Sequence, residues 1–97
     1  MKPVIFVSLA EQEFTQAAVF YQSRVSGLGA AFKLAVEVAV HRVQRHPRAW
    51  PMVRPGVRRK NVARFPYGIL YREHADKIVV LAVMHLHRHP DCWIGRQ

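Results

Sequence analysis

Cationic side chains crowd one stretch of the sequence, where Arg58, Arg59, Lys60 and Arg64 stand within a single predicted strand. Guanidinium and ammonium groups hold phosphates and carboxylates, and the planar guanidinium can do so with two parallel hydrogen bonds. Strand alternation would place Arg59 on one face and the other three on the opposite face. Two interpretations stand: a surface that binds an anionic partner, or a solvated edge strand that charge protects from aggregation. Protection alone needs fewer charges, so we predict binding.

A second group of candidate residues lies near the end of the sequence, where His85, His87 and His89 alternate and Arg88 stands among them. Alternating imidazoles can bind Zn²⁺ or Ni²⁺. The nearest carboxylate and thiol follow a proline, so we predict neither a metal site nor a cofactor. Imidazole titrates near neutral pH, which makes His85 a candidate acid–base group with Arg88 as its cationic neighbour. The alternative is that His85 only closes a hydrogen-bond network at a strand end.

Neither of the two tryptophans has another Phe, Tyr or Trp close to it in the sequence. Trp93 is isolated in a basic tail, so it is either an anchor for a binding partner or a plug that covers one face of the sheet. Trp50 lies between Ala49 and Pro51, and we predict that it anchors its loop against the helices.

The charge of the molecule is strongly positive and unevenly distributed. Lys and Arg number 15 against 6 Asp and Glu, which gives a net charge of +9 over 97 residues. Most of this excess falls in residues 48–97, and most of the cations are arginines. Such a balance implies an acidic partner: nucleic acid, an acidic protein or an anionic membrane surface.

The length and the single cysteine limit the kinds of protein that this chain can be. One compact domain over residues 1–97 is expected from the length. A single cysteine excludes an intramolecular disulfide and a Cys-rich zinc site, and it fits a reducing compartment. The longest apolar run, Ile78–Met84, is too short to span a bilayer. We therefore expect a cytoplasmic protein with no secretory signal and no membrane partner.

The order of the predicted elements is β-α-α-β-β-β. A capping box from Ser8 to Glu11 predicts a helix that starts at Leu9, and two apolar stripes predict a helical hairpin broken near Gly27. The last three strands form an antiparallel meander, the first strand joins the same sheet, and the hairpin covers one face, which makes an α+β domain. The predicted segments are a strand at Pro3–Val7, a second helix from about Leu28 to His46, an irregular connection at Pro47–Gly56, and strands at Val57–Phe65, Tyr67–Glu73 and Lys77–Leu86.

This order, at this length, resembles the RelE/ParE superfamily of bacterial toxins. The residues that carry the resemblance are Tyr21 with Gly27–Phe32, Arg58-Arg59 through Arg64–Tyr71, and Ile78–Val83 followed by His85, Arg88, Pro90, Trp93 and Arg96. The resemblance implies the toxin of a type II toxin–antitoxin system, in the cytoplasm, silenced by an antitoxin that wraps it in a hetero-oligomer. The net positive charge independently fits an acidic antitoxin.

The resemblance leaves two mechanisms open, since one branch of the superfamily cuts mRNA on the ribosome and the other poisons DNA gyrase. Arg59 and Arg88 match the cations of the cutting branch. However, Asn61 stands where that branch has a Lys, Gly68 stands where it has an Arg, and the tail holds Trp93 instead of a Tyr. The gyrase branch is therefore favoured.

Each hypothesis uses the candidate residues differently. If the chain is a metal-independent endoribonuclease, His85 and Arg88 are its catalytic residues, with His85 replacing the missing acid–base group. A third hypothesis is a non-toxic module that binds nucleic acid or an antitoxin. In the binding hypotheses, the residues that contact the target or nucleic acid are Arg58, Arg59, Lys60, Arg64, Arg88 and Trp93.

Overall fold

The chain forms two helices and a mixed five-stranded sheet. The computed structural model describes residues 1–88, 91 and 93–96. The α+β class and the helical hairpin are as predicted, and within the described residues no helix is long and apolar enough to cross a bilayer. The elements are β1 (Val4–Phe6), α1 (Ser8–Arg24), α2 (Leu28–Arg45), β2 (Met52–Arg54), β3 (Val57–Asn61), β4 (Tyr67–Glu73) and β5 (Ile78–His85).

The strands lie in the order β1-β5-β4-β3-β2. Strand β1 runs parallel to β5, and the two helices connect β1 to β2 at the opposite edge of the sheet. The remaining neighbours are antiparallel. Strand β5 therefore lies inside the sheet, and it is apolar along nearly its whole length, as the sequence predicted.

Two predictions about the strands are corrected. Strand β2 was expected to be part of an irregular connection, but it pairs with β3 across a turn at Gly56. Strand β3 was expected to continue to Phe65, but it ends at Asn61. The chain turns there because the Val62 N–H donates to the Tyr67 carbonyl at 2.8 Å, and Arg64 adopts a left-handed conformation with φ of 73°.

The predicted capping box at the start of α1 does not form. Ser8 already belongs to the helix, and its hydroxyl accepts a long hydrogen bond from the Gln12 amide at 3.4 Å. The residue before the helix is Val7, whose N–H donates to Val80 of the sheet and whose carbonyl accepts from Glu11. Because sheet pairing fixes Val7 as the helix boundary, Ser8 is one residue too late to cap.

Each face of the sheet has its own core. The first core lies under the helices and includes Phe32, Val36, Ile69 and Tyr71. The second core lies on the opposite face and is closed by the tail; its buried members are Val57, Leu70, Val79, Leu81, Ala82, Met84 and Trp93.

A bulge in β5 changes which face its last residues meet. Tyr71 pairs with Val80 but Leu70 pairs with Ala82, so Leu81 is an extra residue without an opposite partner. As a result Leu81 and Ala82 both belong to the second core, and Val83 returns to the first. Without the bulge, alternation from Ile78 would send His85 to the opposite face.

Candidate functional site

The cations of β3 divide between the two faces of the sheet as predicted. Arg58 pairs across the ladder with Tyr71 and Lys60 pairs with Ile69, and both partners belong to the first core. Arg59 pairs with Leu70, which belongs to the second core. Arg58 and Lys60 therefore share the helix-covered face.

Arg64 does not follow the predicted alternation. Strand β3 has ended before this residue, and its side chain is exposed in the turn that leads to β4. The prediction that it shares a face with Arg58 and Lys60 is wrong because alternation holds only within a strand.

Two cations of β3 are held by Trp50. The Lys60 ammonium lies 4.0 Å from the centre of the indole ring, and the Arg58 guanidinium donates to the Trp50 carbonyl at 2.8 Å. Trp50 itself packs against the first core, as predicted. Burial lowers the pKa of Lys60, and the nearby charge of Arg42 at the end of α2 lowers it further.

On the opposite face, the stem of Arg59 lies over Gly68. A Cβ placed on Gly68 would lie 3.1 Å from both Cγ and Cδ of Arg59, and 3.1 Å from a methyl of Leu86. The space beside Gly68 is therefore filled by the Arg59 stem, and a larger residue at this position would have to displace it.

The Glu13 carboxylate forms ion pairs with two arginines near the end of the chain. It pairs with Arg88 at 3.0 Å and with Arg96 at 2.9 Å, and it also accepts the Val83 N–H at 3.1 Å. Arg96 in turn donates to the Leu81 carbonyl at 3.1 Å. These two side chains satisfy backbone groups of β5 beyond the short strand β1.

Sequence reasoning missed Glu13, although a signal for it exists. It falls three residues after the buried Ala10 and four before the buried Ala17, so it lies on the side of α1 that faces the sheet. A carboxylate at such a position needs a partner, and the arginines of the tail were candidates for that partner.

His85 and Arg88 border one shallow cavity, as the nuclease hypothesis requires of them. The cavity measures about 170 Å³ and is also lined by Glu13 and Tyr67. The His85 Nδ1 accepts the His87 N–H at 3.2 Å, and its ring centre lies 5.3 Å from that of Tyr67. Burial raises the pKa of Tyr67, and the neighbouring Tyr21 raises it further.

The alternating histidines, for which no metal site was predicted, are only partly described, because His89 lies outside the described residues. Within the described part of the chain, no three potential metal ligands form a group.

The structure does not bring all of the predicted site residues together. His85 and Arg88 lie on the side of the sheet that α1 covers, whereas Arg59 lies on the other side. Trp93 is only 9% exposed and forms part of the second core, which is the plug of the two alternatives. The predicted residues thus occupy five places: the helix-covered face of β3 (Arg58 and Lys60), its opposite face (Arg59), the turn after β3 (Arg64), the Glu13 cavity (His85 and Arg88) and the second core (Trp93).

Comparisons with known proteins agree with this architecture. The family described as "ParE toxin of type II toxin-antitoxin system, parDE" matches residues 4–90. A solved structure described as "Chromosomal ParDE TA system from P. aeruginosa" superposes with a TM-score of 0.63 at 20% identity, covering 88% of this chain and 96% of that chain. At this identity the superposition shows a shared fold. A comparison with curated proteins gave no significant match.

Proposed function

This chain belongs to the ParE toxin family of type II toxin–antitoxin systems, and from this premise we propose that it arrests bacterial growth by acting on DNA gyrase in the cytoplasm. The family match over residues 4–90 is the observation that carries the proposal. The separation of Arg59 from His85 and Arg88 supports it further, because cations on opposite faces of a sheet cannot stabilise one phosphorane.

We assign the target contact to Arg59 of β3 and to Arg64 in the turn after it. Arg64 is exposed and Arg59 is partly exposed, so both have surface to offer. Arg88 is ion-paired to Glu13 and Trp93 is buried, so we assign these two an indirect role through packing.

A cognate antitoxin relieves the arrest in this proposal. The outer faces of the helices carry apolar side chains that the fold leaves uncovered, among them Val19, Phe20, Leu34 and Val38. A partner that covers them and carries acidic groups would suit both this surface and the net charge of +9.

The proposal predicts growth arrest on induction of this chain in bacteria and accumulation of cleaved plasmid by purified gyrase. Arg64→Asn should weaken both effects, and asparagine tolerates the left-handed conformation at that position. Lys77→Asn, a cation on the turn before β5, is the matched control and should leave both effects unchanged. Normal growth at a confirmed expression level would contradict the toxin proposal and leave a non-toxic binding module.

One observation favours the ribosome-dependent endoribonuclease as a second candidate. The Glu13 cavity combines a carboxylate, an imidazole, a phenol and a guanidinium, which are groups able to move protons and hold a phosphate. This candidate predicts codon-positioned cuts in translated messages, abolished by His85→Ala and by Arg88→Ala. Such cuts with intact gyrase activity would overturn the gyrase proposal.

A further inference from the structure

Three cations come together where the end of α2 lies beside β3. Arg42 comes from the last turn of α2, and Arg58 and Lys60 come from β3. We call these three residues the basic edge. Trp50 holds the two cations of β3 in place through its carbonyl and its ring, so their positions are set before any partner arrives.

The basic edge has no internal counter-charge. Within the described residues, all five ion pairs involve other cations, and none reaches Arg42, Arg58 or Lys60. Burial lowers the pKa of Lys60, and the like charge of nearby Arg42 lowers it further. Like charges held together in this way favour an anionic ligand that neutralises more than one of them.

The distribution of apolar surface indicates which anion fits. Protein interfaces usually centre on exposed apolar or aromatic anchors. Of the large exposed apolar side chains in the described part of the chain, two lie near the basic edge, and neither is aromatic: Met52 on the neighbouring strand β2, and Val38 one turn before Arg42 on α2. The ring of Trp50 is already covered by Lys60. The other exposed apolar residues lie elsewhere on the helices, just after α1, on β1 and near the two ends of the chain, and include Leu9, Val19, Phe20, Leu34 and Ile94.

We infer that the basic edge binds the phosphate backbone of duplex nucleic acid. Backbone binding requires cations at fixed spacing and no apolar anchor, because its free energy comes largely from released counterions. Arg58 and Lys60 are two residues apart on one face of a strand, a separation of about 7 Å. Binding of this kind is independent of sequence and steeply dependent on salt.

The test is fluorescence anisotropy with a short labelled DNA duplex of mixed sequence, titrated with the full chain at several NaCl concentrations. The wild-type chain should bind with a dissociation constant of about 10⁻⁴ to 10⁻⁶ M at moderate salt. Arg42→Gln and Lys60→Gln should each reduce the slope of log K against log salt by about 0.9. Lys33→Gln removes a cation from the same helix away from this edge, and it sets the effect of net charge alone.

Two further arms separate the alternatives. A duplex RNA of the same length should respond to the same substitutions, because it presents the same phosphates. A labelled polyglutamate peptide tests the acidic-protein alternative. Arg42→Gln and Lys60→Gln should bind this peptide at least as tightly as the Lys33→Gln control does. Loss of peptide binding with unchanged duplex binding would overturn the inference and assign the edge to an acidic protein.

Two other results would overturn it as well. These are the absence of duplex binding by the wild-type chain at low salt, and slopes for Arg42→Gln that equal those of Lys33→Gln. Arg42 is exposed, so its variant keeps the test valid even if Lys60→Gln disturbs the fold, which thermal melting by circular dichroism reports. Gyrase is absent from the assay, so failure here leaves the gyrase proposal untouched, and failure of that proposal leaves this inference untouched.

Discussion

The Tyr71 hydroxyl donates a 2.6 Å hydrogen bond to the Pro47 carbonyl, which ties the segment after α2 to the middle of the sheet. The side chain is fully buried, and this burial raises the pKa of Tyr71 to about 12. A single hydroxyl therefore links the packing of the first core to the position of the loop that carries Trp50.

Tyr71→Phe should lower the free energy of unfolding by about 1 kcal/mol at neutral pH, because the Pro47 carbonyl loses its donor. The substitution should also change the alkaline pH dependence. The unfolded chain loses this proton near pH 10, whereas the folded chain keeps it to about pH 12. Stability contributed by the protonated phenol is therefore present below about pH 10 and lost as pH rises above it.

Urea unfolding below and above pH 10 measures this difference. The wild-type chain should lose on the order of 2 kcal/mol more than Tyr71→Phe across that interval. Tyr21 and Tyr67, whose pKa values burial also raises, are present in both proteins and cancel in the comparison. Equal alkaline losses in both proteins would contradict the assignment to Tyr71.

The two ion pairs of Glu13 should contribute differently to stability, because one is buried and the other is exposed. The side chains of Glu13 and Arg96 are each 12% exposed, whereas that of Arg88 is 48% exposed. Glu13→Gln should cost about 2–3 kcal/mol, since it leaves the Arg96 cation without its carboxylate. Arg88→Gln should cost less than about 1 kcal/mol, because solvent already screens that pair. Thermal unfolding of the two variants checks the order, and equal losses would refute it.

At the scale of elements, the two helices are joined by the side chain of Gln22 and by a glycine at their closest approach. The Gln22 amide oxygen accepts the N–H groups of Gly27 and Gly29 at 3.0 and 3.1 Å, so α1 supplies the cap that α2 lacks in its own sequence. A Cβ on Gly29 would lie 2.7 Å from the Ala18 carbonyl oxygen and 2.8 Å from the Gln22 Cβ.

Gly29→Ala should therefore destabilise the chain, even though alanine is the better helix former by about 1 kcal/mol. The helices must separate to admit the methyl group, which costs about 1–3 kcal/mol and disturbs the Gln22 cap. Ala30→Gly, at the exposed next position, measures the intrinsic preference in the same turn. If Gly29→Ala instead gained the stability that Ala30→Gly loses, close packing would not limit this position. The urea midpoint of each variant decides.

The secondary-structure elements were predictable where one hydrophobic pattern dominates the local sequence. They were unpredictable where the structure depends on contacts between two elements. The helical hairpin follows from its apolar stripes, and the interior position of β5 follows from its unbroken apolar run. Strand β2 was hidden because prolines flank it and its hydrogen bonds come only from β3. The bulge at Leu81 was hidden because every neighbouring residue is apolar, so no alternation marks the change of face.

The candidate site was predictable in its residue types but not in their grouping. The pairing of His85 with Arg88 in one cavity followed from their closeness in sequence. Glu13 comes from α1, far away in the chain, and only the fold brings it to the arginines. The separation of Arg59 from that cavity depends on the register of three strands, which no local pattern encodes.

At the scale of the whole molecule, exposed apolar side chains lie mainly on the helices, whereas cations without an ion-pair partner lie on both the helices and the sheet. Among the described residues, Lys33 and Arg42 of α2 and the three cations of β3 take part in no ion pair. The net charge of +9 is therefore distributed unevenly over the molecule.

The position of β5 in the chain also determines when the protein can fold. Both cores depend on this strand, yet among the described residues it is the last strand in chain order, and its parallel neighbour β1 is the first. Val4 pairs with Ile78, so the closing contact spans most of the polypeptide and must pay a large entropy of loop closure. During synthesis the helices emerge with their apolar faces uncovered, and the native sheet is completed only after translation has passed His85. Folding therefore cannot be completed before β5 has been synthesised, and a chain released before β5 is made lacks the strand on which both cores are built.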